Sequence, residues 1–250
     1  MTSAPSLAAA TSDEPDDRRT PHHHHRDLTG GWLRAAVFGA MDGLVTNVTL
    51  VSGVSGGSAS NHLVVLTGLV GLVGGAFSMA AGEWTSVQSQ NEATHAELDL
   101  ERLELARSPK AEENELVAAW VGRGLPENLA REVAQTVAAN PEEALRVHAQ
   151  EELGVDPDKL PSPWQAAGSS FLSFALGAFI PLAPFLVGGS HALLVAFVLA
   201  GLGLFGAGAL VSRYTRRTAL FTGARQLLFG AATAAVTYGI GAAVGTGVTA

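Results

Sequence analysis

The stretch HLVVLTGLVGLVGGAFSMAAGEWTSVQSQNEATHAELDLERLELAR (residues 62–107) joins an apolar half to an acidic half without an interrupting proline. Its first half is long enough to cross a bilayer core, which requires about 20 apolar residues in a helix. The following segment, Gln88–Arg107, contains neither glycine nor proline, so we expect the helix to continue out of the membrane. The stretch therefore predicts a spanning helix that runs on into an acidic, water-exposed domain.

Several other segments of the chain are equally apolar. The hydrophobic fraction is 47%, there are 29 glycines, and the mean hydropathy is +0.24. The segments long enough to span a membrane are about 33–55, 62–90, 166–188, 191–212 and 224–247. We therefore predict an all-α, polytopic membrane protein with five transmembrane helices and a helical domain between the second and the third.

Acidic residues are concentrated in that helical domain. Sixteen of the 23 acidic residues lie between Glu92 and Asp158, whereas residues 92–159 contain only seven basic residues. The net charge of −8 disfavours nucleic acid as a partner, because phosphate binding requires a basic surface. The chain has no cysteine, which excludes a thiolate metal site and a cysteine nucleophile. Cations are therefore the expected partners.

Lysine and arginine assign the orientation, because they accumulate in short cytoplasmic segments. All 15 lie at or before the start of the first span, in the acidic domain, or between Arg213 and Arg225. This distribution predicts a cytoplasmic N-terminus and an external C-terminus. The expected organisation is a disordered cytoplasmic tail (1–32), transmembrane helices 1–2 (33–90), a cytoplasmic acidic metal-binding domain (91–160) and transmembrane helices 3–5 (161–250).

Two acidic residues lie in or beside the apolar segments: Asp42 in the first and Glu83 near the end of the second. An acid at the bilayer centre costs about 3 kcal/mol on insertion scales, so one found there typically faces a polar pathway. The alternative is a protonated carboxyl bonded to a neighbouring helix. Polar residues that could extend an oxygen-lined track from Asp42 are Thr46, Asn47 and Thr49.

Met79 lies one helical turn before Glu83, so both side chains project from one face. A thioether beside a carboxylate favours a transition metal over Ca²⁺ or Mg²⁺, which prefer oxygen alone. Taken singly, a methionine in an apolar span more often fills space, and a glutamate near the interface is often only solvated.

Carboxylates of the acidic domain recur at helical spacing. Three groups of possible ligands are Glu97, Glu101 and Glu104; Glu112 and Glu115; and His148, Glu151 and Glu152. Like charges at these spacings repel unless a cation or a basic neighbour compensates them, although a solvated acidic face is the usual alternative. The candidate metal ligands are Asp42, Met79, Glu83, Glu97, Glu101, Glu104, Glu112, Glu115, His148 and Glu152. A histidine run, His22–His25, could bind metal loosely or belong only to an exposed tail.

The order and spacing of four motifs resemble the vacuolar iron transporter family. The motifs are LRAAVFGAMDGLVTNVTLVSGVSGG (33–57), GGAFSMAAGEWTSVQSQNE (74–92), EELG (151–154) and SFLSFALGAFIPLAPF (170–185). The resemblance extends from about Leu33 to the C-terminus and identifies the chain as a bacterial member. It implies a homodimer with five spans per subunit that exports Fe²⁺ or Mn²⁺ from the cytoplasm in exchange for protons.

By position, Asp42 and Met79 match the family's ion-pathway residues. The glutamates that match its cytoplasmic metal-binding domain are Glu101, Glu104, Glu112, Glu115 and Glu152. A methionine pair precedes the last glutamate in the family, whereas this chain has His148 and Ala149 there. Imidazole is a metal ligand and the alanine side chain is not, so the resemblance implies a changed donor set.

These observations predict a multi-pass protein of a bacterial-type plasma membrane that moves Fe²⁺ or Mn²⁺ out of the cytoplasm by proton antiport. We expect no enzymatic activity and no prosthetic group. The alternative is a membrane-anchored metal buffer or sensor without transport activity. An intramembrane aspartic protease is disfavoured because Asp42 has no second aspartate in the apolar segments.

Overall fold

The computed structural model of the protein describes residues 31–213, 215 and 217–248, and within these ranges regular structure is entirely helical. The α-helices are α1 (Gly31–Gly56), α2 (Asn61–Arg107), α3 (Pro109–Gly122), α4 (Glu127–Ala138), α5 (Pro141–His148), α6 (Pro163–Val187), α7 (Ala192–Val211) and α8 (Ala219–Val248). A π-helical turn, Ala149–Leu153, follows α5, and a 3₁₀ turn, Pro157–Lys159, precedes α6. The predicted tail and its histidine run, His22–His25, lie outside the described residues.

Five of the described helices are long and apolar enough to cross a membrane, namely α1, α2, α6, α7 and α8. They coincide with the five predicted spans, so the all-α prediction with five spans is confirmed. Consecutive spans reverse direction, and α1, α6 and α8 consequently run parallel. The reversal between α6 and α7 uses Gly188 and Gly189, whose positive φ angles of 81° and 117° suit residues without a Cβ atom.

Helix α2 is continuous over 47 residues, and the Ser60 side chain caps it by accepting a hydrogen bond from the Leu63 amide at 3.3 Å. A helix of this length extends about 70 Å, more than twice the roughly 30 Å thickness of a bilayer core. Its second half therefore lies outside the membrane, as the absence of glycine and proline from that half predicts.

Glycines bring α1 and α6 into backbone contact. A Cβ atom at Gly43 would overlap the carbonyl oxygen of Phe174, and one at Gly177 would overlap that of Ala40. Small residues at such crossings are how membrane helices approach closely, because lipid supplies no hydrophobic driving force between them. Close backbone contact with α6 therefore fixes the part of α1 that carries Asp42.

Two asparagines tie neighbouring spans to α6, which carries two prolines in its interior. The buried Asn47 amide of α1 donates to the Ala178 carbonyl at 2.5 Å, and the Asn61 amide of α2 donates to the Phe185 carbonyl at 3.0 Å. The Phe185 carbonyl lies in the last turn of α6, where helical donors are missing, whereas the Ala178 carbonyl lies in the helix interior. Asn47 is therefore committed to the α1–α6 contact.

The helical insert, defined as residues 91–160, consists of the end of α2, helices α3 to α5 and the two short turns. Its apolar core lies between α3 and α4 and contains Leu116, Val117, Ala130 and Ala134. The Asn140 side chain caps α5 by accepting from the amides of Glu142 and Glu143. Contacts of α3 and α5 with α2 hold this small bundle against the extended end of the long helix.

We expect Gly43→Ala and Gly177→Ala each to lower the free energy of unfolding by about 1–3 kcal/mol, and with it the melting temperature. The reason is that the added methyl group meets backbone that cannot move aside. Gly74→Ala and Gly206→Ala are matched controls with open space around the Cβ position. Alanine there removes the conformational cost of a helical glycine, about 0.5–1 kcal/mol. Thermal unfolding in detergent measures all four, and equal melting temperatures would contradict the close α1–α6 contact.

Candidate metal centre

Four side chains from separate elements converge in the insert: Glu101 of α2, Glu112 of α3, His148 at the end of α5, and Glu152 of the π-helical turn. One ligand atom from each lies within 4.8 Å of the others. The His148 Nδ1 atom is 2.7 Å from Glu152 Oε1, 3.1 Å from Glu101 Oε1 and 4.0 Å from Glu112 Oε2. We call this group the four-residue cluster.

Three members of the cluster are withdrawn from solvent: the exposed fraction is 8% for Glu101, 8% for Glu112 and 1% for His148. Among the described residues, neither lysine nor arginine forms an ion pair with its carboxylates. Glu101 Oε1 is buried without a hydrogen-bond donor in the described part of the chain. Buried carboxylates are normally paired or bound to a metal, so the cluster is electrostatically suited to a cation.

The carboxylates of the cluster resist simultaneous ionisation. Burial, followed by the negative charge of Glu152, raises the pKa of Glu101 to about 7. Burial and the charge of Glu115 likewise raise the pKa of Glu112. Burial and like charge outweigh the opposing effect of His148 at both carboxylates, and a divalent ion among them would lower both pKa values.

The π-helical turn separates two consecutive glutamates that have different roles. Glu152 faces His148, whereas Glu151 accepts a hydrogen bond from Trp120 Nε1 at 3.3 Å and pairs with Arg123 of the α3–α4 connection. The turn ends at Gly154, whose φ of 68° is left-handed. Glu151, which the sequence groups with His148 and Glu152, therefore lies outside the four-residue cluster and is paired with Arg123.

The other predicted ligands of the insert lie around the cluster. Glu104 and Glu115 are exposed, and their charges contribute to the raised pKa values of Glu101 and Glu112. Glu97 is exposed one helical turn before Glu101 and lies outside the four-residue cluster. Their ligand roles stay predictions.

In the spans, Glu83 has a neighbour that sequence reasoning missed. Its Oε2 atom is buried and lies 3.7 Å from Arg34 Nη2 at the start of α1. In the sequence, Arg34 serves only to assign the orientation in the membrane, because no sequence pattern relates the start of α1 to the second span. This pairing places a fixed positive charge beside Glu83, one of the candidate metal ligands.

Asp42 and Met79 are the other two candidate ligands in the spans, and their surroundings differ. Asp42 is exposed on α1, and the Thr46 hydroxyl donates to its Oδ1 atom at 3.5 Å. Met79 packs against the cluster of apolar residues that surrounds Phe174 of α6. Their roles as ion ligands stay predictions.

Five membrane-length helices, one of which continues into a helical bundle with buried carboxylates, define the class of a polytopic integral membrane protein. The sequence profile of the VIT family matches residues 33–242, which is most of the chain. The chain belongs to the VIT family, as the motifs in its first, second and third spans indicate.

Similarity to individual proteins agrees with this assignment. The chain is 39% identical over 154 residues to a vacuolar iron transporter of Acanthamoeba castellanii, covering 62% of this chain and 55% of that protein. It is 34% identical over 151 residues to vacuolar iron transporter homolog 3 of Arabidopsis thaliana, covering 60% and 51%. It is 34% identical over 220 residues to homolog 1 of the same plant, covering 86% and 84%. The chain thus spans about half the length of the first two.

We expect the metal-free protein to lose stability as pH rises from 5 to 8. The folded-state pKa of Glu101, about 7, exceeds its ordinary value of 4.5, so folding favours the protonated form. That contribution is complete below pH 4.5 and is lost as pH passes through about 7. Glu101→Gln removes this charge and therefore makes the decline smaller, and the part due to Glu112 remains.

Melting temperatures at pH 5 and pH 8, measured in detergent with a chelator, test this expectation. Glu97→Gln is the matched control, because Glu97 is exposed one turn away on the same helix and should retain the wild-type decline. An equal decline in wild type and Glu101→Gln would contradict the assignment.

Proposed function

We propose that this protein is a divalent metal transporter that captures Fe²⁺ or Mn²⁺ in the insert and moves it across the membrane. The observation that supports this most directly is the four-residue cluster on a five-span member of the VIT family. Its oxygen and imidazole donors suit first-row metals better than Ca²⁺ or Mg²⁺, which prefer oxygen alone. Relatives named vacuolar iron transporters agree with iron as the cargo.

His148 would be the nitrogen ligand of this site. Where the family carries a methionine pair, this chain has His148 and Ala149, and Ala149 is buried without any donor atom. A neutral imidazole replaces a thioether as donor, and it must lose its proton before the metal binds. Capture by this chain is accordingly more sensitive to acid than capture by two thioethers.

The proposed path leads from the insert to Glu83, then past Met79 to Asp42. Arg34 competes with an arriving cation at Glu83, because its guanidinium lies 3.7 Å from the carboxylate. A carboxylate binds either a proton or a metal ion, so sequential use of Glu83 and Asp42 would couple metal movement to protons moving the other way. The distribution of Lys and Arg supports a cytoplasmic insert and therefore metal capture from the cytoplasm. Export across a bacterial-type plasma membrane by a homodimer is proposed from the family resemblance.

We expect His148→Ala and Glu152→Gln each to weaken Mn²⁺ binding to the purified full-length protein by at least about tenfold, because each removes one of a few ligands. Glu97→Gln is the control outside the cluster and should bind as the wild type does. Isothermal titration with Mn²⁺ at pH 7.5 provides the affinities. Equal affinity in all variants would place capture elsewhere.

The same cluster also supports an alternative function, a membrane-anchored metal buffer or sensor. The two functions differ only in whether metal ions cross the membrane. Such a protein binds Mn²⁺ in the insert but carries none across the bilayer under any gradient. Metal uptake into proteoliposomes therefore separates the two functions, whereas binding measurements alone do not.

We expect Asp42→Asn to reduce Mn²⁺ uptake at least about tenfold while leaving Mn²⁺ affinity at the insert unchanged, because the amide keeps the shape but carries no charge. Proteoliposomes that enclose a metal-quenched dye measure uptake, and a pH-sensitive dye run in parallel measures proton movement. Undiminished uptake by Asp42→Asn would contradict the proposed path. Uptake that ignores a pH gradient would contradict antiport.

A further inference from the structure

Glu151 bonds to the end of α3, although it is adjacent in sequence to the cluster residue Glu152. Its Oε1 atom accepts a hydrogen bond from Trp120 Nε1 at 3.3 Å, and its Oε2 atom pairs with the Arg123 guanidinium. Each carboxylate oxygen of Glu151 thus has a partner outside the four-residue cluster. We call Glu151, Trp120 and Arg123 the Glu151 latch.

Glu152 is the member of the four-residue cluster that its surroundings constrain least. Its side chain is 34% exposed, whereas those of Glu101, Glu112 and His148 are 9%, 11% and 1% exposed. Among the described residues, its side chain forms a hydrogen bond only to His148. When the carboxylates are ionised, Glu101 and Glu112 repel it. Repulsion therefore favours rotation of Glu152 away from the cluster unless the turn that carries it is held.

The π-helical turn has few anchors of its own. It comprises five residues, Ala149–Leu153, and ends at Gly154. Ala149 is buried, and its carbonyl accepts a hydrogen bond from the Val155 amide at 3.2 Å. At the other end Leu153 is exposed, so its side chain adds no apolar anchor. The Glu151 latch therefore supplies the side-chain bonds that join the middle of the turn to α3.

The latch is anchored in the apolar core of the insert. Trp120 packs against the buried residues shared by α3 and α4. Arg123 directly follows α3, and its amide donates to the Trp120 carbonyl at 3.1 Å. The same helix carries Glu112 in its first turn. Helix α3 therefore supplies one residue of the cluster and holds the turn that supplies another, Glu152.

We propose that Trp120 and Arg123 are positioning residues of the metal site: by holding Glu151, they keep the turn in the orientation that directs Glu152 toward His148. This inference rests on the proposed capture of a divalent metal by the insert. Neither residue touches the ion. Residues that orient the ligands of a metal commonly change its affinity by about 10–100-fold when they are replaced.

Two effects of removing Arg123 can be distinguished by their direction. Arg123→Gln removes a positive charge near an acidic cluster, and by charge alone that change strengthens the binding of a divalent cation. Loss of the latch weakens binding instead, because Glu152 is no longer held in place. The direction of the change in affinity therefore identifies the role of Arg123.

The test measures the Mn²⁺ affinity of the purified full-length protein by isothermal titration at pH 7.5. We expect Arg123→Gln to bind Mn²⁺ about tenfold more weakly than wild type, and Arg123→Lys, which keeps the charge, to bind nearly as well as wild type. Arg131→Gln is the matched control, because Arg131 pairs with Glu127 at 3.0 Å in the same insert and has no ion pair with the cluster. It should bind at least as tightly as wild type.

A second comparison shows whether Arg123 acts through Glu152. In a Glu152→Gln background the latch has no carboxylate to direct, so adding Arg123→Gln should cause no further loss of affinity. The melting temperature of metal-free Arg123→Gln should stay near that of wild type, because the Arg123–Glu151 pair is partly exposed.

Unchanged or tighter binding by Arg123→Gln, or an equal further loss in the Glu152→Gln background, would overturn the latch and leave metal capture standing. An equal loss in Arg131→Gln would do the same. If Arg123→Gln does not fold, Trp120→Phe removes the other hydrogen bond while keeping an aromatic ring, and the same criteria apply. No Mn²⁺ binding by the wild type would overturn the latch and the proposed capture site together.

Discussion

One uninterrupted helix connects the two parts of this molecule. Helix α2 carries Met79 and Glu83 in its apolar half and Glu101 in its polar half, so their separation is fixed by helical geometry. At 1.5 Å per residue, Glu83 and Glu101 lie about 27 Å apart along the axis. Helices α1 and α6 pack against one half, and α3 and α5 against the other. The candidate entrance, Glu83, and the candidate capture site, which includes Glu101, therefore both have residues on one continuous helix.

The architecture was largely predictable because bilayer thickness dictates the length of an apolar segment. All five spans follow from that constraint, and the continuation of α2 follows from the lack of helix breakers after Gln88. The candidate site was predictable only in composition. Spacing within a helix identifies Glu101 and Glu112 as possible ligands, but it does not reveal which residues face a third helix. Spacing likewise does not reveal that Glu152 faces His148 while Glu151 faces Arg123, since that depends on how the turn packs against α2 and α3.

The same limitation explains the features that sequence reasoning missed. That Asn47 faces α6 depends on where α6 crosses α1, which no local pattern encodes. The pairing of Arg34 with Glu83 likewise joins two spans through a contact remote in sequence.

The length of α2 also limits how the two sites can influence each other. In physiological salt the Debye length is about 8 Å, whereas Glu83 and the four-residue cluster are separated by about three times that distance. Through the intervening water, the charge of a metal ion in the cluster would be strongly screened at Glu83. Under the proposed function, transfer between the two sites would then require diffusion of the ion or movement of the helix, and the insert would serve as a local reservoir rather than as an electrostatic switch.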